Sequence, residues 1–372
     1  MLKVLITGSK GFIGKNLKLF LKERKNIDII CFDKEHNVSM LFKIVKKVDF
    51  IFHLAGINRS EKIDDFYKYN TDFTKILCKA IGEANRKIPV VYTSSIQAGS
   101  NSPYGLSKQG AEELLLSLNK EFKNPVHIFR LSNVFGKWCR PNYNSVVATF
   151  CHNITREIPI NIENENNLLE LIYIDDVIKR FIELIEDTSE KTNLEVYKFI
   201  SPTYKTTVGE LAKQLYAFKQ VSKSKILENV GTGLVRALYS TYISYLPKEN
   251  FSYSVTPNKD KRGLFAEILK TQNCGQFSYF TAFPGVTRGE HYHHSKTEKF
   301  LVVKGKACFK FLHMDTKVKY ELNVNSEKPE IVETIPGWSH SITNIGNEEL
   351  IVMLWANEIY DPSNPDTFSY QI

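Results

Sequence analysis

The first half of the chain alternates short apolar runs with amphipathic stretches. The apolar runs are rich in Val, Ile and Phe and are bounded by Gly, Asp, Ser or Pro; they are KVLITG, IDIICFD, VDFIFHLAG, PVVYTSS and VHIFRLS. Such runs predict strands that are buried on both faces. Amphipathic stretches such as GFIGKNLKLFLKERK and YGLSKQGAEELLLSLNKEF lie between them and predict helices. Strand–helix alternation predicts a doubly wound parallel sheet with helices on both faces.

The alternation loosens after about residue 135, and the pattern changes again after about residue 245. The stretches TFCHNITREIPINI and LIYIDDVIKRFIELIED predict a smaller lobe over the sheet edge. From about residue 262, short apolar runs such as EKFLVVKG and ELIVMLWAN are separated by Gly, Asn and Pro turns. Regular short strands without helices predict a β-barrel or sandwich. We therefore expect an α/β domain over residues 1–248 and an all-β domain over residues 249–372.

The size of the chain agrees with that division, since 372 residues correspond to two or three domains at about 150 residues each. The apolar fraction of 42% suffices for ordinary buried cores. No apolar run approaches the roughly 20 residues that cross a bilayer, so membrane insertion is not expected, and the N-terminus shows no signal-peptide pattern. The six cysteines are scattered, which favours reduced thiols and a cytoplasmic location.

The net charge is +8, and the basic residues are spread along the chain. This distribution is typical of a solvated basic surface; alternatively, it attracts a polyanionic small molecule. The sequence contains no nucleic-acid-binding motif of the usual kinds, so nucleic acid is not expected as a partner.

The stretch TGSKGFIG places three glycines in a G-x-x-G-x-x-G spacing between a predicted strand and a predicted helix. Glycines there let the backbone turn sharply and approach a pyrophosphate, which binds the free N–H groups of the helix N-terminus. This context predicts a dinucleotide site. The residues expected to contact the cofactor are Gly8, Gly11, Phe12, Ile13 and Gly14 of the loop, with Leu54, Ala55 and Gly56 of the HLAG stretch.

The residue that selects between NAD and NADP is expected near Asp33, which ends the second predicted strand. An acid at this place accepts a hydrogen bond from the ribose 2′-hydroxyl and favours NAD. Lys34 beside it suits the 2′-phosphate of NADP instead. From these two residues alone, both cofactors remain open.

A second signal is SSIQAGSNSPYGLSK, in which Tyr104 and Lys108 lie four residues apart on one helical face. The lysine ammonium is expected to lower the pKa of the phenol, so that the tyrosine can exchange a proton with a hydroxyl or carbonyl. Ser94 or Ser95, at the end of a strand, is expected to hydrogen-bond the same oxygen, and Ser95 is slightly preferred.

Together with the glycine loop, this set resembles the extended short-chain dehydrogenase/reductase family over about residues 1–245. The resemblance includes HLAG at 53–56, Asn70 in YNTDFT and YIDDV at 173–177. It implies a Rossmann-type fold and action on nucleotide-sugars. The stretch between the serines and Tyr104 is shorter than in that family and lacks its second tyrosine–glycine pair.

The stretch GVTRGEHYHHSKTEKFLVVKG at 285–305 fits the spacing G-x5-H-x-H-x4-E-x6-G. His291 and His293 alternate on one strand face, so both imidazoles point the same way. Glu298 begins the next strand, and PGWSHSITN supplies His340. The pattern resembles the cupin family, whose three histidines and a glutamate surround one divalent metal at a barrel mouth.

The identity of the metal stays open on the residues alone. Mixed imidazole and carboxylate ligation suits Zn, Ni, Fe or Mn, and zinc is preferred among them. His294 points to the opposite strand face and is not expected to be a ligand.

The stretches DKRGLFAE at 260–267 and TRGEHYH at 287–293 resemble those of the deoxythymidine-diphosphate-sugar 3,5-epimerases. Those cupin-type enzymes remove protons next to a 4-keto group, and the resemblance implies that Arg262 contacts substrate. Their histidine base falls on His291, which is also a predicted metal ligand. The role of base is therefore not carried over; either the metal polarises the keto group or the metal is structural.

Over essentially the whole chain, stretches such as NVFGKWCRPNYNSVVATFC, STYISYLP and NEIYDPSNPDTF resemble the capsular polysaccharide synthesis family CapF. In that family a cupin epimerase is joined to an NADPH-dependent reductase. The resemblance implies NADPH, Zn²⁺, a homodimer and a UDP-2-acetamido-2,6-dideoxy-4-hexulose of the L series. The barrel would invert C3, and the reductase would then convert the C4 ketone to give UDP-2-acetamido-2,6-dideoxy-L-talose, a precursor of N-acetyl-L-fucosamine in capsule or O-antigen.

The same resemblance implies a UDP-sugar site past the fifth strand, with the candidates Asn133, Trp138, Asn142, Tyr143 and Asn144. Two alternative enzymes remain. One is a single-step NAD(P)-dependent reductase, and the other is a C4 epimerase that keeps its cofactor; in either, the barrel would only dimerise. A cofactor-sensing regulator is a third alternative, disfavoured because this chain has both the tyrosine and the lysine.

Overall fold

The structure is a computed structural model. The residues that it describes are 1–186, 195–255, 257–260, 263–266, 269–271, 275–358 and 361–372. Arg262, a predicted substrate contact, lies outside them. The chain divides into two compact units, which we call the N-terminal unit (Met1–Ser145 and Leu169–Lys205) and the C-terminal unit (Val146–Leu168 and Thr206–Ile372).

Helices and strands are named in chain order. Within the described residues, the α-helices are α1 (Phe12–Lys22), α2 (Val38–Val45), α3 (Ile63–Phe66), α4 (Phe73–Ala84), α5 (Pro103–Phe122), α6 (Val146–Thr155), α7 (Ile174–Glu186), α8 (Val208–Ser224) and α9 (Gly233–Ser244). A π-helical turn spans Tyr67–Asp72, and a 3-10 turn spans Lys248–Asn250.

The strands fall into an early group of parallel character and a later, mainly antiparallel group. The early strands are β1 (Leu2–Thr7), β2 (Ile27–Phe32), β3 (Phe50–His53), β4 (Val90–Ser95), β5 (Val126–Leu131), β6 (Asn133–Phe135), β7 (Leu168–Tyr173), β8 (Tyr197–Lys198), β9 (Tyr204–Thr207) and β10 (Ile226–Leu227). The later strands are β11 (Ser252–Ser254), β12 (Pro257–Asp260), β13 (Gly263–Ala266), β14 (Lys270–Thr271), β15 (Gln276–Ala282), β16 (Thr287–Tyr292), β17 (Glu298–Lys304), β18 (Lys306–His313), β19 (Lys319–Asn325), β20 (Glu330–Glu333), β21 (Trp338–Asn344), β22 (Leu350–Ala356) and β23 (Phe368–Ser369).

The N-terminal unit is built on a parallel sheet with the strand order β2-β1-β3-β4-β5-β8. Strands β3 and β4 are buried along their whole length, as strands covered by helices on both faces must be. The strand order reverses between β1 and β3. In doubly wound sheets, the ligand crevice lies at the carboxyl ends of the strands beside such a reversal.

The start of helix α5 is determined by an N-cap serine and a proline at the first helical position. The Ser102 side chain accepts a hydrogen bond from the backbone N–H of Gly105, and Pro103 occupies the first helical position. This cap fixes the start of the helix, so Tyr104 and Lys108 lie in its first two turns.

The C-terminal unit contains two antiparallel sheets, β11-β20-β17-β22-β15 and β19-β18-β21-β16-β23, which we call the C-terminal sheets. Strand β16 carries a bulge between Gly289 and His291, where the register against β21 shifts. Gly289 has φ of +91° and Glu290 has φ of +55°. A bulge bends its strand and changes the direction of the next side chain, which here is His291.

The predicted fold class is confirmed: a Rossmann-type parallel sheet with helices precedes an all-β C-terminal region. The boundary between residues 248 and 249 stays a prediction, and the compact units group α8 and α9 with the C-terminal sheets. None of the helices in the described part of the chain has the length and apolarity that a membrane crossing requires.

Candidate functional site

The glycine loop joins β1 to α1 in the N-terminal unit. Gly8 has φ of +72°, and a Cβ there would lie 2.7 Å from the backbone of Ala55, so only glycine fits. A Cβ on Gly14 would collide with the Gly8 carbonyl oxygen. Helix α1 then begins at Phe12 without an acidic residue in its first turn. The loop therefore suits a pyrophosphate at the helix N-terminus.

A cleft of about 650 Å³ opens beside this loop. It brings together the loop, the ends of β3, β4 and β5, and the start of α5. The predicted site residues in its lining are Gly8, Gly11, Phe12, Ile13, Gly14, Leu54, Gly56, Ser94, Ser95, Tyr104, Lys108, Asn133, Trp138, Tyr143 and Asn144. Residues expected to bind cofactor, to act on substrate and to hold substrate thus share one cleft.

The side chain of Lys108 is buried in this cleft. Its ammonium donates to the carbonyl oxygen of Thr93 at 2.8 Å and lies 4.8 Å from the centre of the Tyr92 ring. Burial lowers the pKa of Lys108 to about 8, and the nearby Glu112 carboxylate opposes that shift. Lys108 therefore titrates close to neutral pH.

The pKa of the Tyr104 phenol is raised, whereas the sequence led us to expect a lowered pKa. Burial raises its pKa, and a hydrogen bond with Ser95 only partly offsets the rise. Lys108 is not among the described residues that shift the pKa of Tyr104. Its ammonium donates instead to the backbone carbonyl of Thr93. Tyr104 is therefore a protonated phenol at neutral pH, ready to donate.

The two neighbouring serines have different partners. Ser94 donates to the carboxylate of Glu112. The same carboxylate accepts two hydrogen bonds from Arg130, at 3.0 and 2.6 Å. Ser95 is the serine that bonds to Tyr104. The geometry therefore favours Ser95 as the serine beside the reacting oxygen.

Asn70 lies in the π-helical turn and is buried. Its side chain accepts from the backbone N–H of Ile57 at 2.9 Å and donates to the Ile57 carbonyl at 3.0 Å. It also donates to the hydroxyl of Ser107 in α5 at 2.9 Å. Turns of this kind are frequent at functional sites. Asn70 ties the segment after β3 to α5 and so holds two walls of the cleft together.

Arg140 in the lining of the cleft and Lys137 behind it are residues that the sequence pattern did not single out. Lys137 is buried and donates to Asp175 at 2.7 Å, which fixes the segment just before Trp138. Arg140 lies with its guanidinium carbon 4.9 Å from the centre of the Tyr143 ring. The YIDDV stretch was the only sequence signal for the Lys137–Asp175 pair, and Arg140 had none beyond its place in KWCRPNYN.

The Asp33 carboxylate is engaged by the glycine loop. It accepts from the Ser9 hydroxyl at 2.6 Å and from the backbone N–H of Lys10 at 3.1 Å. The Lys34 ammonium lies 4.4 Å from the centre of the Tyr69 ring. Of the cofactor and substrate residues predicted in the N-terminal unit, four lie outside the lining of the cleft: Asp33, Lys34, Ala55 and Asn142.

A second cluster lies in the C-terminal unit, where His291, His293, Glu298 and His340 each place one ligand atom within 4.8 Å of the others. Pairing of β16 with β21 sets His291 opposite His340, and Glu298 opens β17. The Nε2 atoms of His293 and His340 lie 3.1 and 3.5 Å from Glu298 Oε2. Three imidazoles and a carboxylate are a donor set that suits a divalent transition metal.

The electrostatics of the cluster also suit a cation. Burial lowers the pKa of His291 to about 3, and His340 and His293 add to the shift. Burial also lowers the pKa of His340. Burial opposes the charge of Glu298, but the histidines outweigh it and hold its pKa well below the usual range. Neutral imidazoles and an ionised carboxylate are the forms that bind metals.

The residue that holds this cluster in shape is Asp366. Its carbonyl oxygen lies 2.6 Å from Nδ1 of His293, so this nitrogen donates and Nε2 is left facing the cluster. Its carboxylate accepts from the backbone N–H groups of His294, Ser295 and Lys296 at 2.7–2.9 Å. The His294 ring itself packs against Phe368 and lies outside the cluster. No sequence pattern pointed to Asp366.

Two family models match the chain: the NAD dependent epimerase/dehydratase family over residues 4–198, and the polysaccharide biosynthesis C-terminal domain over residues 258–368. The UDP-2-acetamido-2,6-beta-L-arabino-hexul-4-ose reductase of Pseudomonas aeruginosa is 54% identical over 371 residues, which cover 100% of this chain and 99% of that protein. The capsular polysaccharide assembling protein CapF of Staphylococcus aureus has a solved structure that is 39% identical, with a TM-score of 0.67 over 99% of this chain and 100% of its own. The chain belongs to the CapF family.

A more distant neighbour of this CapF-family chain is the UDP-glucuronic acid 4-epimerase of Bacillus cereus. Its structure is 19% identical, with a TM-score of 0.53 over 59% of this chain and 83% of its own, and it shares the fold alone. The predictions of the CapF family, of an enzyme and of a nicotinamide cofactor are confirmed.

Proposed function

We propose that this CapF-family chain reduces the C4 ketone of a UDP-linked 2-acetamido-2,6-dideoxy-L-4-hexulose with NADPH. The observation that carries the proposal is the cleft in which Ser95, Tyr104 and Lys108 line the same walls as the glycine loop. The name of the 54% identical relative supports this substrate class. The expected product is UDP-2-acetamido-2,6-dideoxy-L-talose, which serves as a precursor of N-acetyl-L-fucosamine in capsule or O-antigen.

The residues of the chain act on the C4 oxygen. When bound, the nicotinamide supplies the hydride that C4 accepts. Tyr104, which burial keeps protonated, donates its proton to the oxygen. Ser95 donates a hydrogen bond to the same oxygen. Lys108 holds the cofactor ribose and stabilises the phenolate that Tyr104 becomes.

The proposed cofactor is NADPH, and the engagement of Asp33 by the glycine loop leaves its carboxylate fewer acceptor sites for a ribose 2′-hydroxyl. Its carboxylate already accepts from Ser9 and Lys10. Lys34, whose ammonium lies over the Tyr69 ring, offers a cation to a 2′-phosphate, whereas the Lys10 ammonium is paired with Glu35. Steady-state assays with NADPH and NADH test this choice, and a lower KM for NADH contradicts it.

Residues on the other side of the cleft are proposed to hold the UDP-sugar. Asn133, Trp138, Tyr143 and Asn144 line this side. Arg140 lies among them and offers a planar cation to the diphosphate.

The histidine cluster is proposed to bind zinc through His291, His293, Glu298 and His340. When bound, zinc supplies a Lewis acid. The C-terminal sheets are proposed to invert C3 before reduction, because the C3 proton is acidic only while C4 is a ketone. His291 is assigned to the metal and not to the base.

A cytoplasmic homodimer completes the proposal. Strand β15 lies at the edge of its sheet, and its Phe277 and Tyr279 are 49% and 73% exposed. Exposed aromatic side chains on an edge strand favour association with a second copy. Light scattering after size exclusion tests this state, and a monomer at micromolar concentration contradicts it.

Proton NMR in D₂O tests both proposed steps. The protein is mixed with a UDP-linked 4-keto-6-deoxy-HexNAc, first without NADPH and then with it. Loss of the H3 signal before NADPH is added, followed by a 4-hydroxy product, supports both steps. Persistence of H3 while NADPH is consumed indicates a single-step reductase. Bound NAD, with C4 inversion and no NADPH consumption, indicates a C4 epimerase.

A further inference from the structure

A second cavity, of about 530 Å³, lies within the C-terminal unit. Helices α6, α8 and α9 supply one side of its lining, and strands β11, β17 and β20 supply the other. Its volume is in the range of about 300–1,000 Å³ that is usual for small-molecule sites. It shares no lining residue with the cofactor cleft or the histidine cluster, so the proposed reaction leaves it unexplained.

The cavity is floored by a buried ion pair between Lys299 of β17 and Glu333 of β20. Both residues are about 3% exposed. Replacement of a buried ion pair by apolar residues of the same volume is often neutral or even stabilising, so the pair is not needed for the fold. Its presence at the floor of a cavity therefore indicates polar recognition.

Three polar atoms at this floor have no well-aligned hydrogen-bond partner within the described part of the chain, although the Lys299 ammonium interacts with the two phenols among them. They are the Oε2 atom of Glu333 and the hydroxyls of Tyr239 and Tyr253. Buried polar atoms are normally paired with protein, water or ligand. The carboxylate oxygen accepts only, and the phenols donate or accept. A molecule with several hydroxyl groups satisfies all three.

The walls above the floor are aromatic. The rings of Tyr239 and Tyr242 pack edge-on or tilted against Phe218, with centroids 5.0 and 5.8 Å apart from it. Aromatic faces carry partial negative charge and suit the weakly positive C–H groups of a sugar ring. At the mouth, Lys219 pairs with Glu157 at 3.4 Å, so this part of the lining does not select a strongly charged ligand.

We propose that this cavity binds a pyranose ring, whose hydroxyls bond to Glu333, Tyr239 and Tyr253 and whose C–H face packs on the aromatic wall. The ring is either a free monosaccharide or the sugar of a nucleotide-sugar. The proposal depends on the lining of the cavity alone and stands whether or not the proposed reaction is correct.

Saturation-transfer NMR on the full chain tests the proposal, with N-acetyl-D-glucosamine and UDP-N-acetyl-D-glucosamine as probes. The variant Tyr253→Phe removes one hydroxyl from the floor and keeps the ring. Tyr216→Phe is the matched control, since Tyr216 lies on α8 outside the lining and is exposed. We expect Tyr253→Phe to weaken probe binding about five- to tenfold, as loss of one buried hydrogen bond predicts, and Tyr216→Phe to leave it unchanged.

The two probes distinguish the two sources of the ring. If saturation transfer to the free sugar is observed and becomes weaker in Tyr253→Phe, a monosaccharide is sufficient for binding. Transfer only to the UDP-linked sugar, with the same weakening, assigns the cavity to a nucleotide-sugar. Transfer that is insensitive to Tyr253→Phe places the probe elsewhere, for example in the cofactor cleft, and overturns the proposal. Absence of transfer to both probes overturns it as well, and the cavity is then filled by water.

A second variant addresses the ion pair. Changing Lys299→Met and Glu333→Gln together removes both charges and avoids leaving one of them buried alone. A folded double variant, verified by circular dichroism, should lose binding at least tenfold; wild-type affinity in that variant contradicts the proposal. If the double variant does not fold, Tyr253→Phe decides the question by itself.

Discussion

At the scale of single residues, the environment of each polar group decides its role in the cleft. Ser94 and Ser95 are adjacent in β4, and successive side chains of a strand point to opposite faces. The Ser94 hydroxyl reaches the Glu112 carboxylate, and the Ser95 hydroxyl, at the last position of the strand, reaches Tyr104 near the start of α5. Burial keeps Tyr104 protonated, and the same burial makes Lys108 easy to deprotonate.

Substitution of the two serines should separate these roles. Ser95→Ala removes a hydrogen bond to the reacting oxygen, so kcat for NADPH oxidation should fall about 10²–10³-fold. Ser94→Ala removes one bond from Glu112, which keeps Arg130 and Tyr197. It should lower the free energy of unfolding by about 1 kcal/mol and change kcat less than threefold. Steady-state kinetics measure kcat, and urea unfolding measures the free energy of unfolding. Equal losses of kcat in the two variants would contradict the assignment of Ser95 as the serine beside the reacting oxygen.

The lowered pKa of Lys108 gives cofactor binding a pH dependence. The ammonium is lost as pH rises through about 8, well below the ordinary value of 10.5. A charged donor forms a hydrogen bond about twice as strong as a neutral one, so NADPH affinity should fall about fivefold between pH 7 and pH 9.5. Fluorescence titration of NADPH measures the change. Lys108→Met should abolish the pH dependence, and a flat profile in the wild-type protein would refute the expectation.

At the scale of elements, the histidine cluster depends on a segment near the end of the chain. Asp366 precedes β23 and accepts hydrogen bonds from three consecutive backbone N–H groups after His293. Its carbonyl also fixes the His293 ring. The segment that contains the ligand His293 is therefore held in place by the segment around Asp366, which supplies no ligand.

Removal of the Asp366 side chain should weaken metal binding. Asp366→Ala leaves three N–H groups without their acceptor, and loss of such supporting contacts costs about 10–100-fold in metal affinity. Asp361→Ala is the matched control, because Asp361 is exposed and its hydrogen bonds to the described residues lie within its own turn, to Ser363 and Asn364. Competition with a zinc chelator measures both affinities. Equal affinity of the two variants would show that Asp366 has no positioning role.

Sequence patterns predicted the elements and residues that depend on local order. The glycine loop follows from spacing within one turn, and His291 and His293 follow from the two-residue period of a strand. The sequence could not predict Asp366, because its contact with His293 spans 73 positions. It gave only a slight preference for Ser95 over Ser94, since that choice depends on where Glu112 and Arg130 pack. The pKa of Tyr104 was predicted in the wrong direction because its burial is a tertiary property.

At the scale of the whole molecule, two kinds of chemistry belong to two compact units of one chain. The cofactor loop and the Tyr104–Lys108 pair lie in the N-terminal unit, and the histidine cluster lies in the C-terminal unit. The two sets share no residue. The two proposed steps should therefore be separable by experiment.

Metal removal should affect one step alone. Chelation of the metal should slow H3 exchange of the 4-keto substrate in D₂O about 100-fold or more, because the Lewis acid is lost. NADPH affinity should change less than twofold. Proton NMR and fluorescence titration measure the two effects. Unchanged H3 exchange would assign the metal a structural role, and a large loss of NADPH affinity would show that the two units are coupled.

Strand β17 carries Glu298 toward the histidine cluster and Lys299 into the second cavity. A one-residue deletion just before position 298 would place Lys299 in the cluster and Phe300 in the second cavity. A one-residue insertion there would place Glu298 opposite Glu333 and remove it from the cluster. Both sites would be lost by one mutational event. In descendants of this gene, β17 should therefore vary by substitution and not by length, whereas the exposed turn at residues 345–349 should tolerate length changes.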